Sequence, residues 1–339
     1  MREKRTFFVI FYCFAVWLFG LPWAFGQSEH TAKLVEGAKK EGKLVWYTAV
    51  NVADSTRLLD TFEKKYPFVK VELFRAGGET TINRIMTETQ AGKWQFDVVA
   101  TTGLSILVRP KLLSPYISPE AKAYIQEFKD REGYWTAIYN NYYVVGYNTS
   151  LVPERDAPKR WEDLLDEKWK GKISIDQEEY EWYATLLAAW GREKTQHYMK
   201  TLAGQQIQWR KGHTLIAQLV AAGEFPVAIV YAHRIEDMKK RGAPIEWVNT
   251  LDPITVSVAG IGLSAKPKNP YTAKLFIDFM LSKEGQQMIR SFNRIPPRSD
   301  VEPMSPKLDQ AKLKLKAVPP DTATRYNEYV QEFRRIFGL

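Results

Sequence analysis

Cysteine is almost absent from this sequence of 339 residues, and the one cysteine, Cys13, lies in an apolar run near the N-terminus. If that run is removed, the remaining chain has no thiol, which excludes disulfide bonds and cysteine-based metal sites. The motifs GxSxG, GxxxxGK[ST] and HExxH are also missing, and Gly260 and Gly262 begin a GxGxxG pattern without its third glycine. We therefore expect neither enzymatic activity nor a resident cofactor.

The chain also lacks a basic run with interleaved aromatic residues, although its formal net charge is +9. Such runs line nucleic-acid grooves, so we expect no nucleic-acid partner. The excess positive charge is spread over the sequence and suits a surface that favours anionic ligands. Aromatic residues make up 13% of the chain, which is typical of a folded protein with an aromatic-lined site.

Residues 1–26 have the pattern of a signal peptide. The basic segment MREKR precedes the apolar segment TFFVIFYCFAVWLFGLPWA, and Ala24 and Gly26 supply small residues for cleavage. This pattern predicts export to the periplasm and removal of Cys13. A retained membrane anchor is the alternative, because the apolar run is almost long enough to span a bilayer.

Strands and helices alternate in the region that follows. KLVWYTAV (43–50), VKVELF (69–74) and FDVVATTG (96–103) read as buried strands, and the segments between them read as helices. Short connections of this kind predict a parallel sheet with right-handed crossovers. Capping residues predict that the first intervening helix starts at Asp54 or Ser55 and the second at Glu79 or Thr80.

GKISI (171–175) and FPVAIVYA (225–232) are strands of a second set, and extended aromatic or apolar segments connect it to the first. We therefore predict an α/β protein of two lobes, each a central mostly parallel sheet flanked by helices, joined by hinge crossings. The predicted parts are the signal peptide (1–26), lobe 1 (27–136 and 251–298), lobe 2 (137–250) and a C-terminal helical extension packed on lobe 2 (299–339).

Polar residues follow several of these strands, where ligands collect in open α/β sheets. Tyr231 ends the strand 225–232, and Thr101 and Thr102 end the strand 96–103. The turn DQEEYEWYA suits a cation or an amine, while a helix start with acidic residues that complement its dipole is the alternative. The candidate ligand contacts in this turn are Asp176, Glu179, Tyr180 and Tyr183.

Two further segments suit an anion. Gly78 and Glu79 lie at a helix N-terminus with free backbone N–H groups, although a purely structural turn explains them as well. Arg234 follows Tyr231 by less than one helical turn and can bind a carboxylate or phosphate with two hydrogen bonds, the alternative being a solvated helix surface. The histidines outside this segment, His30, His197 and His213, are dispersed and are expected at the surface or as caps.

Several segments together resemble a known family. They are EGKLVWYTA, FDVVATTG, VVGYNTSLVP followed by WEDLLDEKWKGKISI, AAGEFPVAIVYA, and NPYTAKLFIDFMLSKEGQQMI, and they cover most of residues 35–298. In this order they resemble type II periplasmic solute-binding proteins of ABC importers, especially the ferric-ion-binding group. The resemblance implies a monomer whose two lobes close over one solute and then dock on a membrane permease.

The resemblance leaves the solute open. Ferric-binding relatives carry adjacent tyrosines where this chain has Tyr231 and Ala232, and often a histidine or tyrosine where it has Asn51. Asn51 and Tyr47 remain candidate ligand contacts. A small organic anion (a phosphonate, sugar phosphate or carboxylate) or an amine is the alternative to Fe³⁺, and a secreted enzyme that uses the cleft is the less favoured class. If iron is the solute, the implied phenolate ligands are Tyr231, Tyr183 and Tyr147.

Overall fold

A computed structural model describes residues 21–319 and 322–339 of the chain. Residues 1–20, which contain most of the predicted signal peptide, lie outside the described residues. Among the helices of the described ranges, none combines the length and the apolar character that a membrane span requires.

The strands are joined into one continuous sheet that passes through both lobes, in the order β2-β1-β3-β10-β5-β8-β6-β7. They are β1 (Lys43–Thr48), β2 (Lys70–Arg75), β3 (Val98–Thr101), β4 (Leu113–Ser114), β5 (Thr136–Asn148), β6 (Ile173–Asp176), β7 (Gln208–Arg210), β8 (Val227–Tyr231), β9 (Ile245–Trp247), β10 (Ile254–Ser264) and β11 (Leu315–Ala317). The strands of each predicted set pair in parallel, β1 with β2 and β3, and β6 with β7 and β8.

Helices cover the two faces of this sheet. They are α1 (Leu21–Glu41), α2 (Val52–Lys65), α3 (Gly78–Gln90), α4 (Tyr180–Trp190), α5 (Arg192–Ala203), α6 (His213–Ala221), α7 (Ala232–Lys240), α8 (Pro270–Leu281), α9 (Lys283–Ser291) and α10 (Thr322–Phe337). Short 3₁₀ helices, such as Leu104–Leu107, fill several connections.

Two long strands carry the chain between the lobes. β5 and β10 pair antiparallel, β5 continues into lobe 2 through β8, and β10 continues into lobe 1 through β3. All thirteen residues of β5 are buried. The aromatic segment around β5 was expected to cross between the lobes, and it does so as one unbroken strand.

Each lobe has its own hydrophobic core. In lobe 1, Phe62 of α2 packs edge-on against Phe276 of α8, with ring centroids 5.0 Å apart. In lobe 2, Trp161 and Trp182 pack together at 5.2 Å. Such aromatic pairs stabilise beyond the area they bury.

The C-terminal segment packs on helices of lobe 2. Phe333 of α10 lies 5.5 Å from the ring of Tyr180, and Arg192 of α5 donates a hydrogen bond of 2.6 Å to Glu332. The segment was predicted as a helical extension, but it also contains β11, which pairs in parallel with β10.

Both predicted helix starts in lobe 1 are wrong by a few residues. The cap of α2 is Asn51, whose side chain accepts a hydrogen bond of 2.9 Å from the backbone N–H of Asp54. The cap position of α3 is Gly77, which has no capping side chain. Neither Glu79 nor Thr80 caps α3, because both lie inside its first turn.

Asp97 holds lobe 1 together at the start of β3. Its buried carboxylate accepts hydrogen bonds from the backbone N–H groups of Val45, Lys268 and Asn269, at 2.7 to 3.0 Å. The carboxylate therefore joins β1 to the turn that precedes α8.

We expect the substitution Asp97→Ala to lower the free energy of unfolding by about 2 to 4 kcal/mol, because it leaves buried N–H groups without acceptors. Urea titration checks this value. The control is Asp60→Ala, which removes an exposed carboxylate from α2. Equal stability of the two variants would show that water replaces the Asp97 carboxylate.

Candidate functional site

A cleft of about 670 Å³ lies between the two lobes, along the crossing strands β5 and β10. Residues from both lobes line it. They include Asn51, Arg75, Gly78, Glu79 and Thr102 from lobe 1, Tyr139, Asn141 and Tyr143 from β5, Asp176, Tyr180, Glu181, His213, Tyr231 and Arg234 from lobe 2, and Arg294 and Tyr326 from later segments.

Arginine side chains form one wall of the cleft. Arg294 is buried, donates a hydrogen bond of 2.7 Å to Asp54, and lies 4.0 Å above the ring of Tyr139. Arg75 donates to the backbone carbonyl of Val50. Among the described residues, Arg234 has no hydrogen-bond or ion-pair partner, so its guanidinium remains available to a solute.

The charge state of Arg234 follows from its surroundings. The pKa of Arg234 is lowered to about 10. Burial is the main cause, and the positive charge of Arg294 is the second. It is therefore still protonated at neutral pH. Of the two carboxylates that act on Arg234, Asp54 pairs with Arg294 and Asp237 pairs with Arg241. Neither of them forms an ion pair with Arg234.

Tyr231 lies in a cluster of neutral polar rings. Its hydroxyl is 3.3 Å from that of Tyr143, and its ring stacks on His213 with centroids 3.5 Å apart. Burial raises the pKa of both phenols well above the ordinary value, and burial together with Arg234 lowers the pKa of His213 to about 3. At neutral pH all three rings are uncharged and can exchange hydrogen bonds with a solute.

Carboxyl groups of lobe 2 approach the same cluster. Glu179 is fully buried 3.6 Å from His213, and burial followed by the charges of Asp176 and Glu181 raises its pKa well above the ordinary value. Burial raises the pKa of Glu181 to about 7. Asp176 accepts hydrogen bonds from the backbone N–H groups of Glu178 and Gly212, so it organises this turn.

Helix N-termini from both lobes point toward the cleft. α3, α6 and α7 begin at it without a capping side chain, which leaves backbone N–H groups unsatisfied. A Cβ atom at Gly78 would lie 3.1 Å from Oγ1 of Thr101, so a larger residue there requires Thr101 to shift slightly. Such N–H groups add to the preference of this region for an anion.

Most of the candidate ligand contacts predicted from the sequence do line this cleft. The candidates that do so are Tyr231, Arg234, Thr102, Asn51, Gly78, Glu79, Asp176 and Tyr180. Asn51 lines it although its side chain also caps α2. Arg234 lies in the cleft and not on a solvated helix surface.

Three other candidates lie behind the cleft wall. Thr101 is buried next to Gly78, and Glu179 is buried behind His213. Tyr47 was predicted as a ligand contact, but its ring packs 4.8 Å from Phe74 and its hydroxyl donates to Glu88. Tyr47 therefore belongs to the core of lobe 1.

The three tyrosines proposed as iron ligands do not come together. Tyr147 is four residues along β5 from Tyr143, the partner of Tyr231, which places it about 13 Å from the cleft end of the strand. Tyr183 packs 6.2 Å from both Tyr329 and Phe333, under α10. Within the described residues, no group of three or more His, Cys, Asp or Glu side chains could hold a metal ion.

Several residues that line the cleft were not predicted from the sequence. His213 was expected at the surface, yet only about a tenth of its side chain is exposed and it stacks on Tyr231. Tyr143 and Asn141 lie on the crossing strand, where their alternation with Tyr142 was the available signal. Arg294 comes from the segment after α9, and no pattern in the sequence points to it.

The sequence resembles those of known solute-binding proteins. The sequence profile of bacterial extracellular solute-binding proteins matches residues 57–317. A curated relative, the Fe(3+)-binding periplasmic protein of Serratia marcescens, is 24% identical over 275 residues, which cover 74% of this chain and 80% of the relative.

Two solved structures are also similar. The periplasmic binding protein AfuA from Actinobacillus pleuropneumoniae, with exogenous fructose-6-phosphate bound, is 28% identical, has a TM-score of 0.80, and is matched over 88% of this chain and 99% of AfuA. Iron-bound HitA from Pseudomonas aeruginosa has a TM-score of 0.79 at 22% identity, over 88% of this chain and 99% of HitA, and shows the fold alone. The predicted two-lobed fold is confirmed.

The pKa of Glu181 predicts a pH-dependent stability. Between about pH 4.3, where an unfolded glutamate titrates, and pH 7, the folded protein holds a proton that the unfolded chain has released. The stability that this group contributes therefore falls as the pH rises through that window, and it stays lower above pH 7.

We expect Glu181→Gln to raise the melting temperature relative to the unmodified chain at pH 8, with little difference at pH 4, because glutamine removes this titration. Thermal unfolding from pH 4 to pH 8 measures the difference. Glu193→Gln, an exposed change on α5, is the control. A difference that does not vary with pH would contradict the shifted pKa of Glu181.

Proposed function

Because this chain belongs to the family of bacterial extracellular solute-binding proteins, it captures a solute for an ABC importer, and we propose that the solute is a small organic phosphate or phosphonate. The observation that carries the proposal is the unpartnered guanidinium of Arg234 in the cleft. Members of the family are binding proteins, so we propose that the solute is carried without chemical change.

The anionic part of the solute binds at the arginine wall. A phosphate group carries up to two negative charges and three acceptor oxygens, so it supplies the ion-pair partner that Arg234 lacks among the described residues. Arg234 supplies a planar pair of donors, and the uncapped N-termini of α3 and α7 supply backbone donors. The fructose-6-phosphate bound to the similar protein AfuA is a ligand of this class.

The organic part of the solute binds at the neutral ring cluster. Tyr143, Tyr231 and His213 are uncharged at neutral pH and offer both donors and acceptors. Glu181 also faces the cleft, and its carboxyl can donate a hydrogen bond when it is protonated. Hydroxyl groups match this set, which favours a sugar phosphate over a simple alkyl phosphonate.

Capture proceeds by closure of the two lobes. A solute that touches both lobes binds the closed form better than the open form and shifts the equilibrium between them. We propose that the closed form then docks on the membrane permease of the importer. The names of relatives such as the Serratia marcescens protein support a periplasmic location, which agrees with the predicted signal peptide.

The first experiment measures binding by the chain that begins at residue 27. Thermal unfolding and calorimetric titration are run with inorganic phosphate, fructose 6-phosphate, 2-aminoethylphosphonate, citrate, spermidine and ferric citrate. A ligand present at 100 times its dissociation constant stabilises the folded state by about 2.7 kcal/mol, so binding is visible as a shift in melting temperature. Stabilisation by citrate or spermidine but by no phosphorus compound would contradict the proposal.

We expect Arg234→Gln to weaken binding of fructose 6-phosphate by roughly 10 to 100 fold, because it removes charged hydrogen bonds worth about 1.5 to 3 kcal/mol. Calorimetric titration measures the dissociation constant. The matched control is Lys240→Gln, which removes one positive charge from the exposed end of the same helix. Equal affinities for the two variants would remove Arg234 from the site.

Ferric iron is the second candidate, because two phenols meet in the cleft. Tyr143 and Tyr231 are 3.3 Å apart at their oxygens, and phenolates are hard donors suited to Fe³⁺. Burial of the two phenols disfavours iron as the solute, because it raises their pKa and makes the phenolate costly to form. The nearby arginines also repel a cation unless an anion accompanies it.

Tyr231→Phe separates the two candidates. If the solute is an organic phosphate, we expect Tyr231→Phe to weaken its binding by about 5 to 10 fold, since one neutral hydrogen bond contributes about 1 kcal/mol. In that case ferric citrate should produce no phenolate-to-iron absorption band with either chain. Titration and absorption spectra of both chains measure these effects. A phenolate-to-iron absorption band that Tyr231→Phe abolishes would establish iron as the solute.

A further inference from the structure

The C-terminal helix contributes a side chain to the cleft. Tyr326 of α10 lines the cavity that contains Arg234 and Tyr231. The part of the chain that matches the family profile ends at residue 317, before α10 begins. Tyr326 is therefore a cleft residue outside the part of the chain that matches the profile.

A second cavity adjoins the cleft behind Tyr326. It has a volume of about 780 Å³ and is lined in part by Trp135, Arg131 and Val258. Both cavities border on the same residues, Gly103, Ile106, Glu181 and Tyr326. These residues therefore separate the cleft from the side chamber.

Tyr326 is the largest of these separating side chains, and its position is fixed. Its ring meets the ring of Tyr180 edge-on, with centroids 5.9 Å apart and an angle of 90°. Two turns of the helix further on, Phe333 packs against Tyr180, and Arg334 donates a hydrogen bond of 3.1 Å to the hydroxyl of Tyr180. Lobe 2 therefore holds the Tyr326 ring in place between the two cavities.

We propose that Tyr326 is a specificity-determining residue that ends the cleft and limits the length of the solute. This inference rests on the proposed function. A solute with its phosphate at Arg234 extends along the ring cluster and stops at Tyr326. Small phosphate esters fit the cleft, whereas longer ones need the space of the side chamber. The chamber wall contains Trp135, whose ring suits a planar extension.

The test compares phosphate esters of increasing size on several variants. The probes are inorganic phosphate, fructose 6-phosphate and adenosine 5′-monophosphate, each measured by calorimetric titration. Tyr326→Ala opens the partition, so we expect the affinity for adenosine 5′-monophosphate to rise about tenfold relative to that for inorganic phosphate. Tyr326→Phe keeps the ring, and Tyr271→Ala removes an exposed tyrosine from α8, so both should retain the size preference of the unmodified chain.

A variant with a larger side chain at residue 326 keeps the test valid if Tyr326→Ala fails to fold. Tyr326→Trp enlarges the partition, so we expect it to weaken fructose 6-phosphate about tenfold while inorganic phosphate binds as before. An unchanged ratio of affinities in both the alanine and the tryptophan variants, with melting temperatures near that of the unmodified chain, overturns the role of Tyr326 alone. If the unmodified chain binds none of the phosphate probes, the proposed function fails and this inference fails with it.

Discussion

The cleft is built around two neighbouring arginines, Arg294 and Arg234, of which only Arg294 pairs with a carboxylate. Asp54 pairs with Arg294, and the positive charge of Arg294 in turn helps to lower the pKa of Arg234, which stays protonated without a partner among the described residues. An unbalanced charge in a partly desolvated site is costly, and the cost is relieved when an anion enters. In the proposed function, the anionic solute therefore supplies the partner that Arg234 lacks among the described residues. Closure of the lobes strengthens this attraction further, because it removes water from around the charges.

The crossing strands bring the remaining groups to these arginines. Successive residues of a strand point to opposite faces, so Tyr139, Asn141 and Tyr143 of β5 all face the cleft. β8 pairs with β5 such that Tyr231 lies beside Tyr143, where β8 ends and α7 begins. The strands that connect the two lobes thus also carry side chains that line the cleft.

The predicted family and two-lobed fold are confirmed, because both depend on the order of strands and helices along the chain. The cleft was predicted less completely. Tyr147 and Tyr143 are both buried aromatic residues on one strand, and only its register with β8 tells which of them meets Tyr231. Tyr183 was predicted to contact the solute, but α10 covers it in the folded chain. Arg294 and His213 come from segments with no ligand-binding pattern, so only the folded chain brings them to the cleft.

The loss of an adjacent tyrosine pair has a physical consequence for the kind of solute. Ala232 begins α7 directly after Tyr231 and is fully buried, so it offers no oxygen to a metal. The second phenol of the cleft comes instead from Tyr143, on a buried strand where ionisation is disfavoured. Phenols that stay neutral are poor partners for a trivalent cation but good partners for hydroxyl groups. With a free guanidinium beside them, the same two tyrosines suit the polar end of the organic anion that we propose as the solute.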